Sequence, residues 1–284
     1  MQIVMYLLEQ IRNEGNRRGL SPRTIKTYCF CVKQFLFCYE KELKLLTKND
    51  VEDYLLKMIH REKAGNTINV HLNALKFFFE KVLKRKITVN VPFVKKPKRL
   101  PEFLTKEELI SLIDAIKNEK HKLMILLLYS TGMRVSELVS LKIKNFEFDL
   151  NYGWIREGKG RKDRLFILAE KLKQQLLQHI EQNQLNQEDY LFSGRREYIS
   201  VESIRMILRK ATKQAKLKKK VHPHMLRHSF ATHLIQNGYA VTEVQPLLGH
   251  NSLNTTMIYL HMASPLLLRV KSPLDILENP QKAL

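Results

Sequence analysis

This 284-residue chain is poor in cysteine, with three, and all of them (Cys29, Cys31 and Cys38) fall inside a single helical pattern. That number and spacing exclude a disulfide framework and a CxxC zinc site, so free, mostly buried thiols are expected. Long apolar runs are also missing. LMILLLY, residues 123–129, is among the longest and is too short to cross a bilayer, and the first residues carry no signal-peptide pattern. The expectation is a cytoplasmic chain without a membrane anchor. No internal repeat is evident, and the first 86 residues hold no strand signal.

Acidic residues are few beside basic ones: 28 Asp and Glu against 49 Lys and Arg, a net charge of +21. With 44% hydrophobic residues the chain has enough apolar surface for one or two cores, which excludes a disordered basic tail. The excess is spread along the sequence. Residues 1–100 carry 21 basic against 9 acidic side chains, net +12, and residues 101–284 carry 28 against 19, net +9. Two basic surfaces suit one long polyanion such as duplex DNA.

Apolar residues recur at helical spacing in QIVMYLLEQI, TIKTYCFCVKQFLFCY, VEDYLLKMI and TINVHLNALKFFFEKVL, which predicts four helices over residues 1–86. Ser21-Pro22 supplies a cap and a first-turn proline, Thr47 with Asp50 a capping pair, and Asn66 a start for the last helix. Residues 87–101, ITVNVPFVKKPKRLP, hold three prolines and a cluster of Lys and Arg, and read as an extended basic linker. Beyond it, over 102–284, Thr105 opens a helix with Glu107 and Glu108 in its first turn, and HKLMILLLYS reads as a buried core helix. WIREGKGRKDRLFIL, residues 154–168, reads as a β-hairpin, and the rest returns to helix. The fold class expected is mainly α with a small β-hairpin or sheet.

The stretch HPHMLRHSFATH, residues 222–233, holds four of the ten histidines. Pro223 marks a first helical residue and Asn237-Gly238 a stop, so His224 and Arg227 share one face near a helix N-terminus. A guanidinium fork and an imidazole there suit a phosphate. His224 and His228 also have metal-ligand spacing, but no HExxH glutamate or cysteine cluster accompanies them. His228 and His233 read as buried, hydrogen-bonded packing histidines. Elsewhere, STGMRVSELVSL (130–141) places Arg134 at a helix start with Glu137 one turn on, an Arg–Glu pair if nothing else. GKGRKDR (158–164) puts Lys159 in the hairpin tip, LLGH (247–250) ends a short helix with His250, and NTTMIYLHM (254–262) carries Tyr259, at a position more common for core than for chemistry.

As an ordered set, Arg134, Lys159, His224 with Arg227, His250 and Tyr259, with TGMRVSEL, GKG, HMLRHSFATH, LLGH and TTMIY around them, resemble the signature of the tyrosine recombinases, or phage-integrase family. The short two-part layout is most similar to the Xer recombinases. The resemblance implies a helical core-binding, SAM-like domain over 1–86, the linker 87–101, and a catalytic domain over 102–284, together closing on DNA as a C-shaped clamp. It implies that Arg134 and Arg227 hold the scissile phosphate, that His224 and His250 hydrogen-bond it or handle protons, that Lys159 protonates the departing 5′-oxygen, and that Tyr259 is the nucleophile. No cofactor and no metal are implied, since two arginine cations neutralise the charge that a metal would otherwise meet.

The partners implied are a specific double-stranded DNA site and a homo-tetramer on two such sites, with a second recombinase or a translocase as further candidates. Resolution of chromosome or plasmid dimers is the first reading. A mobile-element or integron-type integrase is the alternative, and a type IB topoisomerase or a non-catalytic DNA-binding regulator is more distant. Two features depart from the family: Pro246 stands where an acidic residue is common before LLGH, and SPLD in the tail RVKSPLDIL (269–277) resembles the ends of integron and transposon integrases. In the family this tail docks on a neighbouring subunit.

Overall fold

The computed structural model describes residues 2–39, 41–86, 101–156, 163–194, 197–249, 256–257 and 259–260. The chain divides into two compact units, residues 1–98 and 99–284.

In the first unit the helices are α1 (Gln2–Arg17), α2 (Pro22–Cys38), α3 (Lys48–His60) and α4 (Gly65–Phe77). Their starts follow local chemistry. Ser21 Oγ accepts the Thr24 N–H at 3.1 Å, with Pro22 as the first helical residue. The Asp50 carboxylate accepts both the backbone N–H and the hydroxyl of Thr47 at 2.8 Å. The α4 start differs from expectation: Gly65 is already helical and Ala64, which has no side-chain acceptor, holds the cap position, so Asn66 lies inside the first turn.

The core of this unit is aromatic. Phe35 meets Tyr54 edge-on with centroids 5.3 Å apart and Phe79 likewise at 6.0 Å. After α4 the backbone widens into a π turn, Phe78–Val82, in which Leu83 N–H reaches back five residues to Phe78 O at 2.9 Å. The wider turn lets the consecutive rings Phe78 and Phe79 both enter the core. Cys29 and Cys31 are buried, Cys38 is exposed, and all three are free.

The second unit holds α5 (Lys106–Asp114), α6 (Glu119–Thr131), α7 (Val135–Val139), α8 (Glu170–Gln182), α9 (Val201–Gln214), α10 (Pro223–Gln236) and α11 (Val241–Leu248). A three-stranded antiparallel sheet, β1 (Phe146–Glu147), β2 (Tyr152–Ile155) and β3 (Arg164–Ile167), lies between α7 and α8 in the chain. The expected hairpin is β2–β3, in register with Ile155 opposite Arg164 and Tyr152 opposite Ile167. The two-residue β1 is too short to leave an alternation in the sequence. Along β3, Arg164 and Phe166 turn inward while Leu165 and Ile167 face out.

Thr105 and Glu108 cap α5 reciprocally, at 3.2 and 2.9 Å. Helix α6 is buried on several sides, with Leu123, Met124, Ile125, Leu127 and Leu128 all in the core. Helix α10 starts at Pro223 and stops at Asn237, as its sequence predicts, and is buried over most of its circumference. Ser229 satisfies its own hydroxyl inside, accepting from Leu104 N–H at 2.9 Å and donating to Met225 O at 2.8 Å. His233 shares a hydrogen bond with the Tyr129 hydroxyl at 2.9 Å, the packing role expected of it.

Candidate active site

Three segments that the sequence keeps apart meet beside α10. Helix α6 ends in Gly132, whose φ of +60° is left-handed. A Cβ at that position would lie 2.3 Å from the Phe230 ring, so both the turn and the close approach of α10 require glycine. The turn presents the Gly132 carbonyl to Arg227, whose Nη1 donates to it at 2.7 Å. The other terminal nitrogen of Arg227 donates to the Leu248 carbonyl at the end of α11. Arg227 thus joins the C-terminal ends of two helices, where exposed carbonyls favour a cation. Burial, with the charges of Arg134 and Arg164, lowers its pKa to about 10, and it remains charged at neutral pH.

Arg134 caps α7, and Glu137 one turn later folds back to accept its backbone N–H at 2.6 Å and its Nη1 at 2.8 Å. The same carboxylate accepts Nη1 and Nη2 of Arg164 at 2.8 and 2.6 Å. Arg164 Nε goes on to the Leu247 carbonyl at 3.1 Å, and its Cδ fills the space that a Cβ on Gly249, itself left-handed at φ +59°, would occupy. Burial raises the Glu137 pKa, but the hydrogen bond and charge of Arg164 and the hydrogen bonds of Arg134 outweigh it, and the carboxyl stays below its ordinary value. Glu137 therefore fixes Arg134 while leaving the arginine part of its donor fork for another anion.

The His222 imidazole caps α10, accepting Met225 N–H at 3.2 Å. His224, in the first turn, is exposed; partial desolvation and then the charge of Arg227 lower its pKa. Its ring lies over His228, centroids 6.4 Å apart and planes 29° from parallel. His228 Nδ1 lies 3.0 Å from the Tyr259 hydroxyl. Tyr259 is only 3% exposed and packs with Phe230, Ala231, Ile235, Val244 and Leu248. Burial raises the phenol's pKa, against the charge and hydrogen bond of Arg227 and the charge of Arg134.

Of the six candidates read from the sequence, Arg134, His224, Arg227 and Tyr259 come together here. Lys159 and His250 lie outside the described residues, as do most of the linker and the whole C-terminal tail. Helix α11 runs through Pro246 to Leu248 and ends on Gly249, so the proline does not end the helix. Sequence reading passed over Arg164 as one more cation of the hairpin; its signal was an arginine at an inward position of a strand, alternating with Phe166. His228 is hydrogen-bonded, as its sequence reading expects, but its partner is Tyr259, 31 residues on, to which nothing in the local pattern points.

Such a cluster, with two guanidinium groups, neutral imidazoles and a buried phenol, suits transfer of a phosphodiester to tyrosine. Comparison with known proteins agrees. Residues 102–264 match the phage integrase family and residues 7–89 match the phage integrase N-terminal SAM-like domain. A tyrosine recombinase of Pseudothermotoga lettingae is 38% identical over 256 residues, 86% of this chain and 89% of that protein. Tyrosine recombinase XerA of Pyrococcus furiosus is 34% identical over 279 residues, 96% of this chain and 95% of that one. Among solved structures, XerH site-specific recombinase bound to palindromic difH substrate in a post-cleavage complex superposes with a TM-score of 0.71 at 25% identity, covering 89% of this chain and 80% of that one.

Proposed function

The chain belongs to the phage integrase family of tyrosine recombinases, which cleave and rejoin DNA, and from that premise we propose that Tyr259 is the nucleophile and that Arg134, Arg227 and His224, with Lys159 and His250, form the site around the scissile phosphate. The observation that carries this reading is the meeting of the Tyr259 phenol, from a late segment of the chain, with the Arg227 face of α10.

The chemistry follows from the groups. A phosphodiester resists attack because charge gathers on its nonbridging oxygens in the transition state, and planar guanidinium donors fixed in advance neutralise it without reorganising. The Tyr259 oxygen attacks phosphorus, the bond to the 5′-oxygen breaks, and a 3′-phosphotyrosine keeps the energy of the lost bond. His224 takes the phenolic proton or donates to a phosphate oxygen, His250 donates another hydrogen bond to that phosphate, and Lys159 supplies a proton to the departing 5′-oxygen. A 5′-hydroxyl of a partner strand reverses the step and restores the tyrosine.

On the same reading, residues 1–86 form the core-binding domain, 87–101 a basic linker, and 102–284 the catalytic domain with a tail that docks on a neighbouring subunit. Four copies bring two double-stranded sites together. Likeness to XerA over nearly the whole of both chains supports a Xer-like role in resolving chromosome or plasmid dimers in the cytoplasm, with a second recombinase or a translocase as partner. The SPLDIL tail is the feature that favours a mobile-element integrase instead. Among the described residues no helix is long and apolar enough to cross a membrane.

The test is to trap protein-linked DNA from cells by rapid denaturation and sequence its 3′ ends. Wild-type protein should give one recurrent site and Tyr259→Phe none. Adducts at wild-type yield from Tyr259→Phe would remove the assignment.

A further inference from the structure

We infer that His228 is a positioning residue for the nucleophile: its Nδ1 accepts the hydrogen of the Tyr259 hydroxyl and so fixes where the phenol oxygen lies relative to Arg227. The inference rests on the reading of Tyr259 as nucleophile and adds a residue outside the set assigned to the phosphate.

The geometry is direct. His228 Nδ1 and the Tyr259 hydroxyl are 3.0 Å apart, with ring centroids at 5.5 Å and planes tilted by 46°. His228 immediately follows Arg227 on α10, and its neighbours Leu226, Ser229, Phe230 and Ala231 are all buried. Helix α10 therefore sets two positions at once: that of the arginine that meets the phosphate and that of the acceptor that meets the phenol. Tyr259 belongs to a separate segment, so the separation between nucleophile and phosphate depends on how firmly that segment is tied to α10. The hydrogen bond is such a tie, and it acts on the reacting oxygen itself.

The direction of the bond follows from the surroundings. Burial, and then the nearby His224, His222 and Arg227, lower the His228 pKa to about 4, so at neutral pH its imidazole is uncharged and has one acceptor nitrogen. The Tyr259 phenol, its pKa raised by burial, keeps its hydrogen and donates it to Nδ1, which leaves the imidazole hydrogen on Nε2. An imidazole so reluctant to take a proton aligns the phenol without deprotonating it. A misplacement of about 1 Å at a reacting atom costs on the order of 100-fold in rate, and a packing histidine with the same burial would have no such influence.

The probe is a nicked suicide duplex carrying the site mapped from trapped adducts, saturated with full-length protein, with adduct formation followed in a single turnover. His228→Leu keeps volume and removes the acceptor; His228→Asn places an amide oxygen near the position of Nδ1. The leucine variant should melt and bind the duplex as wild type does but form adduct ~10- to 100-fold more slowly, and the asparagine variant should recover most of the rate. If His228→Leu does not fold, His228→Gln, whose acceptor sits one bond further out, should be slow in its place. His228→Leu, or His228→Gln where it stands in, cleaving at the wild-type rate or faster overturns the inference. An asparagine variant no better than leucine overturns it too, since packing alone would then account for the loss. Tyr259→Phe in the same assay separates the two readings: adduct from that variant removes the nucleophile assignment, whereas no adduct from it beside full-rate His228→Leu removes only the role of His228.

Discussion

The Glu137 carboxylate and the Arg164 guanidinium form a two-pronged ion pair at 2.8 and 2.6 Å, with each side chain only 7% exposed. The pair joins β3 to α7, and through Arg164 Nε also to the end of α11, so it ties the positions of Arg134 and of the turn before His250 to one buried contact. Removing one member strands the other. Glu137→Leu should destabilise the protein by about 3–5 kcal/mol, measured by urea unfolding. Because the folded-state carboxyl sits below its ordinary value of 4.5, the pair contributes stability that is full above that pH and is lost as pH falls through the folded value. Tm plotted against pH should therefore drop less steeply below pH 4.5 for Glu137→Gln than for wild type; parallel curves would show that the carboxylate is not a main source of the acid limb.

Gly132→Ala should be costly out of proportion to one methyl. The residue is left-handed and the new carbon would meet Phe230 at 2.3 Å, so strain and overpacking together should cost about 2–5 kcal/mol. Since the Gly132 carbonyl also holds Arg227, adduct yield should fall in protein that remains folded. Adding Phe230→Leu should return part of the stability, and unfolding curves of the single and double variants measure it.

Thiol chemistry should distinguish the three cysteines. Cys38 is exposed, while burial pushes the Cys31 thiol up to about 11 and raises that of Cys29. Since the thiolate is the reactive form, one thiol should react promptly with a chromogenic disulfide in native protein and all three after denaturation. Three fast thiols in native protein would contradict the packing of α2.

DNA affinity should fall linearly on a log–log plot against salt, as expected for a chain of net charge +21 that displaces counterions. A flat response would mean that the excess charge lies away from the DNA. On the proposed arginine-based site, cleavage should continue at an unchanged rate in excess EDTA. A loss restored by adding zinc or magnesium would instead favour ligation at His224 and His228.

Much of this was present in the sequence because it is local. The caps at Ser21, Thr47 and Thr105, the first-turn Pro223 and the stop at Asn237 depend on residues within a few positions of one another, the β2–β3 hairpin on partners 9 to 15 positions apart, and periodicity placed the helices around them. Charge totals pointed to a polyanion without any coordinates. What needed tertiary structure was every contact that closes a long loop. Arg164 and Glu137 are 27 residues apart, and His228 and Tyr259 are 31 apart. In the sequence each of these reads as a hairpin cation, a helix-face acid, a packing histidine or a core tyrosine, since local pattern records which face a side chain takes and not what waits opposite. The third strand escaped for a related reason: two residues carry no period, and only pairing with β2 makes β1 a strand.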